Sequence, residues 1–272
     1  MNEITDLRVT VVQADLKWED KKANLDHLKD LLKEITPGQT DLIAFPEFFT
    51  TGFSMDSRTT AETMEGQSIV WMADMAVKTG AVVCGSLPII DQTKYFNRFI
   101  WITPDGRIGH YDKRHLYRVG NETAHFSQGG KRVVFQVKDW RICPQVCYDL
   151  RYPVWNRSRN DYDILLNVAN WPVDRIDIWK TLLKARAIEN QAYVMGVNRV
   201  GTDACQVNYG GSSLVANLNG DLLLEATADT EAVQTVVLSM KDLEKQRNAL
   251  PVFREADDFE IKEFGRLSFI RR

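Results

Sequence analysis

The run Asp41-Leu42-Ile43-Ala44-Phe45 is apolar at almost every position, and this restricts the fold more than any other feature of the 272-residue chain. Successive side chains of a strand point to opposite faces, so a short apolar run without alternation marks a strand buried on both sides. Pro46 ends it, because proline cannot donate to a ladder. Further strand signals fall at 7–13, 81–87, 164–168 and 193–198, and helical stripes lie between them. Leu25, Leu28, Leu32 and Ile35 share one helical face; residues 66–79 form a second helix, with Ile69, Met72 and Ala76 inward and Gly80 as its stop. A third helix spans 174–190, with Asp174 as N-cap and Ile178, Leu182 and Ala185 in its stripe; another is expected near 151–160.

Pro104-Asp105-Gly106 joins strands 95–103 and 107–111 into a hairpin, and Lys138-Asp139 joins 132–137 to 140–146. A strand at 211–216, a turn at 217–221 and strands at 222–225 and 232–238 complete the pattern. Strands apolar on both faces, alternating with helices, define an α/β chain. Each sheet must be covered by helices on one side and by something equally apolar on the other, and two such sheets packed together meet that demand. No linker composition and no internal repeat divides the chain, so a single domain over 1–272 is expected. The charged segment from about 251, after Pro251, reads as an arm reaching a neighbouring subunit.

A formal net charge of −3 lacks the basic surplus that nucleic-acid binding requires. Two acids near the N-terminus stand where an export signal needs a basic start. The apolar runs, such as Ile164-Leu165-Leu166, fall far short of the roughly 20 residues that cross a bilayer. The expectation is a cytoplasmic protein without a membrane partner. Its four cysteines, Cys84, Cys143, Cys147 and Cys205, form no disulfide framework and read as reduced thiols. Cys143 and Cys147 lack the usual spacing of a metal pair, and the four histidines, His27, His110, His115 and His125, offer no second cluster. No metal or organic cofactor is expected.

Glu47, Lys113 and Cys147 each stand immediately beyond a strand. Strand ends of α/β sheets gather side chains into one cleft, which favours a shared site. The chemistry agrees, because a thiol needs a neighbouring cation or a base to become a nucleophile at neutral pH. Lys113 supplies the cation and Glu47 the base, with Phe45, Phe48 and Phe49 expected to oppose ionisation of Glu47. Read singly, each has an ordinary alternative: an inert core cysteine, a solvated lysine, a paired carboxylate. A Cys-His pair with His115 or His125 would need a spatial contact to establish it. Gly129-Gly130 and Gly210-Gly211 read as turns, and Trp155, Trp171 and Trp179 as packing, with Trp171 placed to wall a pocket.

Phe45-Pro46-Glu47-Phe48, Asp112-Lys113-Arg114-His115-Leu116 and Cys147-Tyr148-Asp149-Leu150-Arg151-Tyr152-Pro153 together resemble, in order, the three catalytic blocks of the nitrilase, or carbon-nitrogen hydrolase, superfamily. The resemblance runs from the first strand to the Asn219-Gly220 turn. It implies a four-layer α-β-β-α sandwich, a Glu-Lys-Cys triad of Glu47, Lys113 and Cys147, and a homodimer formed through helices near the site. It also implies that Glu122 orients the lysine and the substrate. Asn170-Trp171-Pro172, the run Lys184 to Gln191 and Gly196-Val197-Asn198-Arg199-Val200-Gly201 are similar to bacterial omega-amidases, which deamidate 2-oxoglutaramate and 2-oxosuccinamate. The expected chemistry is attack by Cys147 on a small-molecule amide. Lys113 and the Tyr148 backbone N–H hold the oxyanion, while Glu47 passes the thiol proton to ammonia. Arg175, Arg199 and His115 are the candidates to receive a substrate carboxylate. The rivals are an N-carbamoyl amine amidohydrolase, a nitrilase, or a non-catalytic binding relative.

Overall fold

The computed structural model describes residues 5–261. One sheet places its strands in the spatial order Ala232–Leu238, Leu7–Gln13, Leu42–Ala44, Val82–Asp91, Lys94–Ile102, Ile108–Asp112. The second runs Leu222–Glu225, Leu214–Ala216, Tyr193–Asn198, Ile164–Ala169, Trp140–Val146, Phe135–Val137. The three central strands of the first sheet, from Leu7–Gln13 to Val82–Asp91, pair in parallel. So do those of the second, from Trp140–Val146 to Tyr193–Asn198. Antiparallel strands close both edges.

Three apolar clusters follow from this arrangement. Val9, Val11, Leu42 and Ala44 of the first sheet meet Ile164, Leu166, Val168 and Met195 of the second in the space between them. On the other face of the first sheet, Val12, Ile43 and Val83 pack against Leu25 and Leu28 of the helix Lys21–Leu31 and Ile69 and Met72 of the helix Gln67–Thr79. On the outer face of the second, Leu165 and Val194 pack against Trp179 and Leu183 of the helix Ile176–Asn190. Odd and even positions of one strand therefore serve different layers, giving the four-layer α-β-β-α sandwich. Asp20 caps the helix Lys21–Leu31 through the Ala23 N–H, and Gly80, at φ +66°, ends the helix Gln67–Thr79 in the left-handed region.

Several expected elements differ. The helix near 151–160 is a 3₁₀ turn at Cys147–Arg151 followed by one helical turn at Pro153–Asn156. Pro153 keeps Tyr152 extended, so the two cannot merge. Asp174 is not an N-cap: it lies inside the 3₁₀ turn Val173–Arg175, and Arg175 precedes the helix. That helix buries Trp179, Leu183 and Ala187 rather than the stripe Ile178, Leu182 and Ala185. The helix carries apolar residues all round, so periodicity offered two faces, and the larger Trp179 and Leu183 took the sheet. The strand expected at 211–216 begins only at Leu214, because Gly211 and Ser212 both have positive φ. The hairpin of Val200–Thr202 with Asn208–Gly210 and the helix Met240–Ala249 had no counterpart in the sequence reading. Of the expected arm, Phe259 lies over the Arg159 guanidinium, 4.3 Å from it; residues 262–272 lie outside the described residues.

Gly196 lets the helix Ile176–Asn190 sit close on the second sheet. A Cβ there would meet Leu183 Cδ1 and Trp179 Cζ2 well inside van der Waals contact. Gly196→Ala should therefore cost about 1–3 kcal/mol by overpacking. A urea midpoint equal to that of the parent chain would contradict this close packing.

Candidate active site

Glu47 leaves the strand Leu42–Ala44 through Phe45 and Pro46, and a tight turn follows it. Phe48 has φ +45°, its N–H donates to Ser86 Oγ at 3.0 Å, and its carbonyl accepts from the N–H groups of Thr51 and Gly52. The three phenylalanines do not enclose the carboxylate as expected: Phe45 and Phe49 stack on each other and pack on Trp71 in the helix-facing cluster, and Phe48 packs against Phe53 and Phe126. Glu47 Oε1 accepts from Lys113 Nζ at 2.8 Å and from Asn97 Nδ2 at 2.7 Å, and Oε2 accepts from the Asn170 N–H at 2.9 Å.

Lys113 follows the strand Ile108–Asp112, and its backbone is fixed at both ends: its N–H donates to Asn97 O, and its carbonyl accepts from the Gly129 N–H. Its ammonium bridges Glu47 and Glu122, with 2.9 and 3.0 Å to the two oxygens of Glu122. Glu122 also accepts from the Tyr117 N–H at 2.6 Å and from Asn97 Nδ2 at 2.9 Å. Glu47, Lys113 and Glu122 have no accessible surface. Burial favours the neutral amine of Lys113, yet Glu122 and Glu47 outweigh it and hold the ammonium charged beyond its ordinary range. Burial pushes the Glu122 carboxyl up, with Lys113 opposing.

Cys147 ends the strand Trp140–Val146 with φ +46°, a conformation rare for a residue with a Cβ. Asp149 fastens this turn. It accepts from the Val146 N–H, the Tyr111 hydroxyl and the His115 N–H, at 3.1, 2.8 and 2.8 Å. Asn167 Nδ2 donates to the Cys147 carbonyl at 3.4 Å, and the thiol lies 4.0 Å from Asn170 O. Burial, then the Glu47 carboxylate, hold the thiol well above its ordinary range, with Lys113 pulling the other way. A thiol so held could form a thiolate only with a base to take its proton.

Cys147 and Tyr148 line a cavity of about 760 Å³, walled in part by Phe53, Tyr117, Trp171 and Tyr209. The structure thus brings Glu47, Lys113, Glu122 and Cys147 together, with Tyr148 and Trp171 beside the thiol. It does not bring the histidines: His115 Nδ1 is bonded to Asp149 at 2.8 Å with its ring stacked on Tyr152, and His125 is paired with Asn121. Of the three expected carboxylate receivers only Arg175 lines the cavity. Arg199 is buried against Asp15, the Leu16 carbonyl and the Val200 carbonyl, and His115 does not reach the cavity. Arg151 lines it as well.

Sequence reasoning gave no site role to three asparagines, two of which, Asn170 and Asn198, it named only within runs of family resemblance. Asn97 bonds both carboxylates. Asn170 reaches Glu47 twice, through its N–H and, at 2.6 Å, from Nδ2 to the Glu47 carbonyl. Asn198 clamps Trp171 at both N–H and carbonyl, at 2.8 and 3.0 Å, and so sets the peptide that carries Asn170. For Asn97 a signal existed: an uncharged amide inside the strand 95–103 must find partners if it is buried. Asn97→Leu removes one donor from each of two buried anions, and charge-assisted bonds are worth about 1.5–3 kcal/mol each. We expect stability to fall by about 2–4 kcal/mol and kcat by about 10- to 100-fold. Urea unfolding and steady-state rates check both, and parent-like values would show that the asparagine is dispensable.

The two-sheet sandwich and this buried acid-base cluster behind a thiol place the chain in the carbon-nitrogen hydrolase family, to which it belongs over residues 8–248. The omega-amidase YafV of Yersinia enterocolitica is 44% identical over 253 residues, covering 93% of this chain and 98% of that protein. A 2-oxoglutaramate amidase of Bacillus subtilis is 27% identical, over 90% of this chain and 95% of its own. The crystal structure of XC1258 from Xanthomonas campestris, a protein of this superfamily with an arsenic adduct in its active site, superposes with a TM-score of 0.93. It is 42% identical and covers 95% of this chain and 100% of that one.

Proposed function

We propose that this chain is an omega-amidase. It hydrolyses the terminal amide of small 2-oxo acid amides, such as 2-oxoglutaramate and 2-oxosuccinamate, to the 2-oxo acid and ammonia. The observation that carries the reading is the lysine ammonium held between two buried carboxylates beside the Cys147 thiol at the edge of a cavity. The 44% identity to an omega-amidase over nearly the full chain supports the substrate class.

In this reading Glu47 takes the Cys147 proton as the sulfur attacks the amide carbon. The carbonyl oxygen becomes an oxyanion beside the Lys113 ammonium and the Tyr148 N–H, and Glu122 keeps the ammonium in place. Glu47 returns its proton to the leaving nitrogen, ammonia departs, and a thioester on Cys147 remains. Glu47 then draws a proton from water, which attacks the thioester and frees the acid and the thiol. Every step is proton transfer or nucleophilic displacement, so the reading calls for no cofactor.

We read the chain as one domain over 1–272, acting in the cytoplasm, where Cys84, Cys143, Cys147 and Cys205 remain free thiols. We also read it as a homodimer. The helix Ile176–Asn190 leaves Ile178 39% and Ile188 53% exposed, two apolar side chains that a second copy would cover. Sedimentation returning the mass of a single chain would remove the dimer.

The test of function is ammonia release across 2-oxo acid amides, uncharged amides, N-carbamoyl amines and nitriles. The expected result is preference for the 2-oxo acid amides, with ammonia as the sole gaseous product. Carbon dioxide released with the ammonia would instead indicate an N-carbamoyl substrate.

A further inference from the structure

We propose that Arg175 is the specificity residue by which this cavity separates 2-oxo acid amides from the matching 2-amino acid amides, glutamine and asparagine. The inference rests on the omega-amidase reading and extends it to a residue outside the acid-base cluster. Arg175 ends the 3₁₀ turn Val173–Arg175, and the Trp171 indole N–H donates to its carbonyl at 2.8 Å, which fixes the turn against the cavity wall. Its guanidinium lies over the Tyr117 ring, 5.6 Å from the centroid. Tyr117 meets Tyr148 edge-on at 5.2 Å, and Arg151 lies over both Tyr148 and Trp171, at 6.0 and 5.3 Å. The contacts close on themselves: Arg175, Tyr117, Tyr148, Arg151 and Trp171 form a collar that begins at the residue after the thiol.

Two cations thus stand among aromatic rings of the cavity wall, and neither forms an ion pair among the described residues. The acids that also line the cavity are engaged or out at the rim. Asp203 accepts from the Tyr209 hydroxyl at 2.9 Å and from the N–H groups of Cys205 and Val207. Glu19 accepts from Ser54 Oγ, Asp56 accepts from the Thr59 N–H, and Glu19, Asp56 and Asp174 are all exposed. Stacking on one ring face positions a guanidinium without using its N–H edges, which stay available for a carboxylate. Arg151 is held over two rings and Arg175 over one, so Arg175 is the less restrained of the two cations.

The chemistry of the ligand makes this selective. A 2-oxo acid end presents a carboxylate and a neutral ketone oxygen, and both accept hydrogen bonds. A 2-amino acid end presents the same carboxylate with an ammonium on the adjacent carbon. A guanidinium seated on the carboxylate is repelled by that ammonium, and the N–H that met the ketone meets another donor. The same residue therefore attracts one substrate and rejects its 2-amino counterpart.

The experiment measures kcat and KM for 2-oxoglutaramate, glutamine and an uncharged amide of similar length, in the parent chain and in Arg175→Met and Arg175→Lys. For Arg175→Met we expect kcat/KM with 2-oxoglutaramate to fall about 10- to 100-fold, mainly through KM, with a much smaller fall for the uncharged amide. The preference for 2-oxoglutaramate over glutamine should shrink about tenfold or more, and Arg175→Lys should recover part of it. The inhibition constant of the product 2-oxoglutarate should rise in parallel in Arg175→Met. An equal loss with charged and uncharged amides, or an unchanged preference over glutamine, overturns the assignment of Arg175 and leaves the omega-amidase reading standing. A parent chain that does not prefer 2-oxoglutaramate to the uncharged amide overturns both.

Discussion

Cys147→Ala should lower ammonia release from 2-oxoglutaramate by about 10⁴-fold or more, because the members of a nucleophilic centre act as a unit and no other group replaces the attacking atom. The structural cost should be small. The side chain is half-buried and loses one sulfur atom, the backbone at φ +46° is as unusual for alanine as for cysteine, and Asp149 still fastens the turn. The variant should therefore unfold within a few degrees of the parent chain, which separates a chemical defect from a folding one. Intact-protein mass spectrometry supplies the positive half of the test, since the parent chain quenched during turnover should carry the acyl group on Cys147. Undiminished turnover in the alanine variant would end the proposed mechanism.

Lys113→Met should damage both stability and rate. It removes the ammonium between Glu47 and Glu122, leaving two carboxylates without accessible surface and without a cation. Breaking a buried pair on one side typically costs about 3–5 kcal/mol, and loss of an oxyanion donor about 100- to 1000-fold in rate. The stability loss should depend on pH in a definite direction. Burial already raises the Glu122 carboxyl above its ordinary value, and the variant loses the ammonium that opposes this. A carboxyl raised in the folded state binds a proton there more readily than in the unfolded chain, so stability rises as pH falls through the window from that raised value down to the ordinary one. In the parent chain the corresponding contribution of Lys113 is complete below the ordinary lysine range and is lost only as pH rises beyond it. Urea unfolding at pH 5 and pH 8 should therefore show a smaller deficit for the variant at the lower pH. An equal deficit at both would mean that the carboxylates are relieved by some other route.

Periodicity made much of this fold legible. The strands Leu7–Gln13, Tyr193–Asn198, Leu222–Glu225 and Ala232–Leu238 fall where the sequence puts them, and Leu42–Ala44 lies inside its expected run. Their burial alternates between layers, which is a local property of the chain. The face of the helix Ile176–Asn190 was not legible, because the choice depended on a glycine in another strand: Gly196 makes room for Trp179 and Leu183. Positive φ at Gly211 and Ser212 shortened a strand that composition alone would continue.

The candidate site divides in a similar way. Glu47, Lys113 and Cys147 carry charge or reactivity that the strand-end rule brought to one place, whereas Glu122 came only from the family resemblance. Asn97, Asn170 and Asn198 carry neither, and their importance lies in what they touch across the interface between strands. His115 was weighed as a partner for the thiol and for a carboxylate, yet Asp149 holds it. No local pattern distinguishes an imidazole that fastens a turn from one that handles protons.

The two bonds from Asn170 to Glu47 have a consequence for how activity arises. Glu47 follows a strand of one sheet and Asn170 a strand of the other, so this clasp of the proposed site exists only once the two halves have docked. A partly folded chain with either half formed alone has the thiol or the carboxylate, never both in register. Return of hydrolysis during refolding is then a clock for that docking, and a nascent or damaged molecule stays chemically silent until the sandwich has shut.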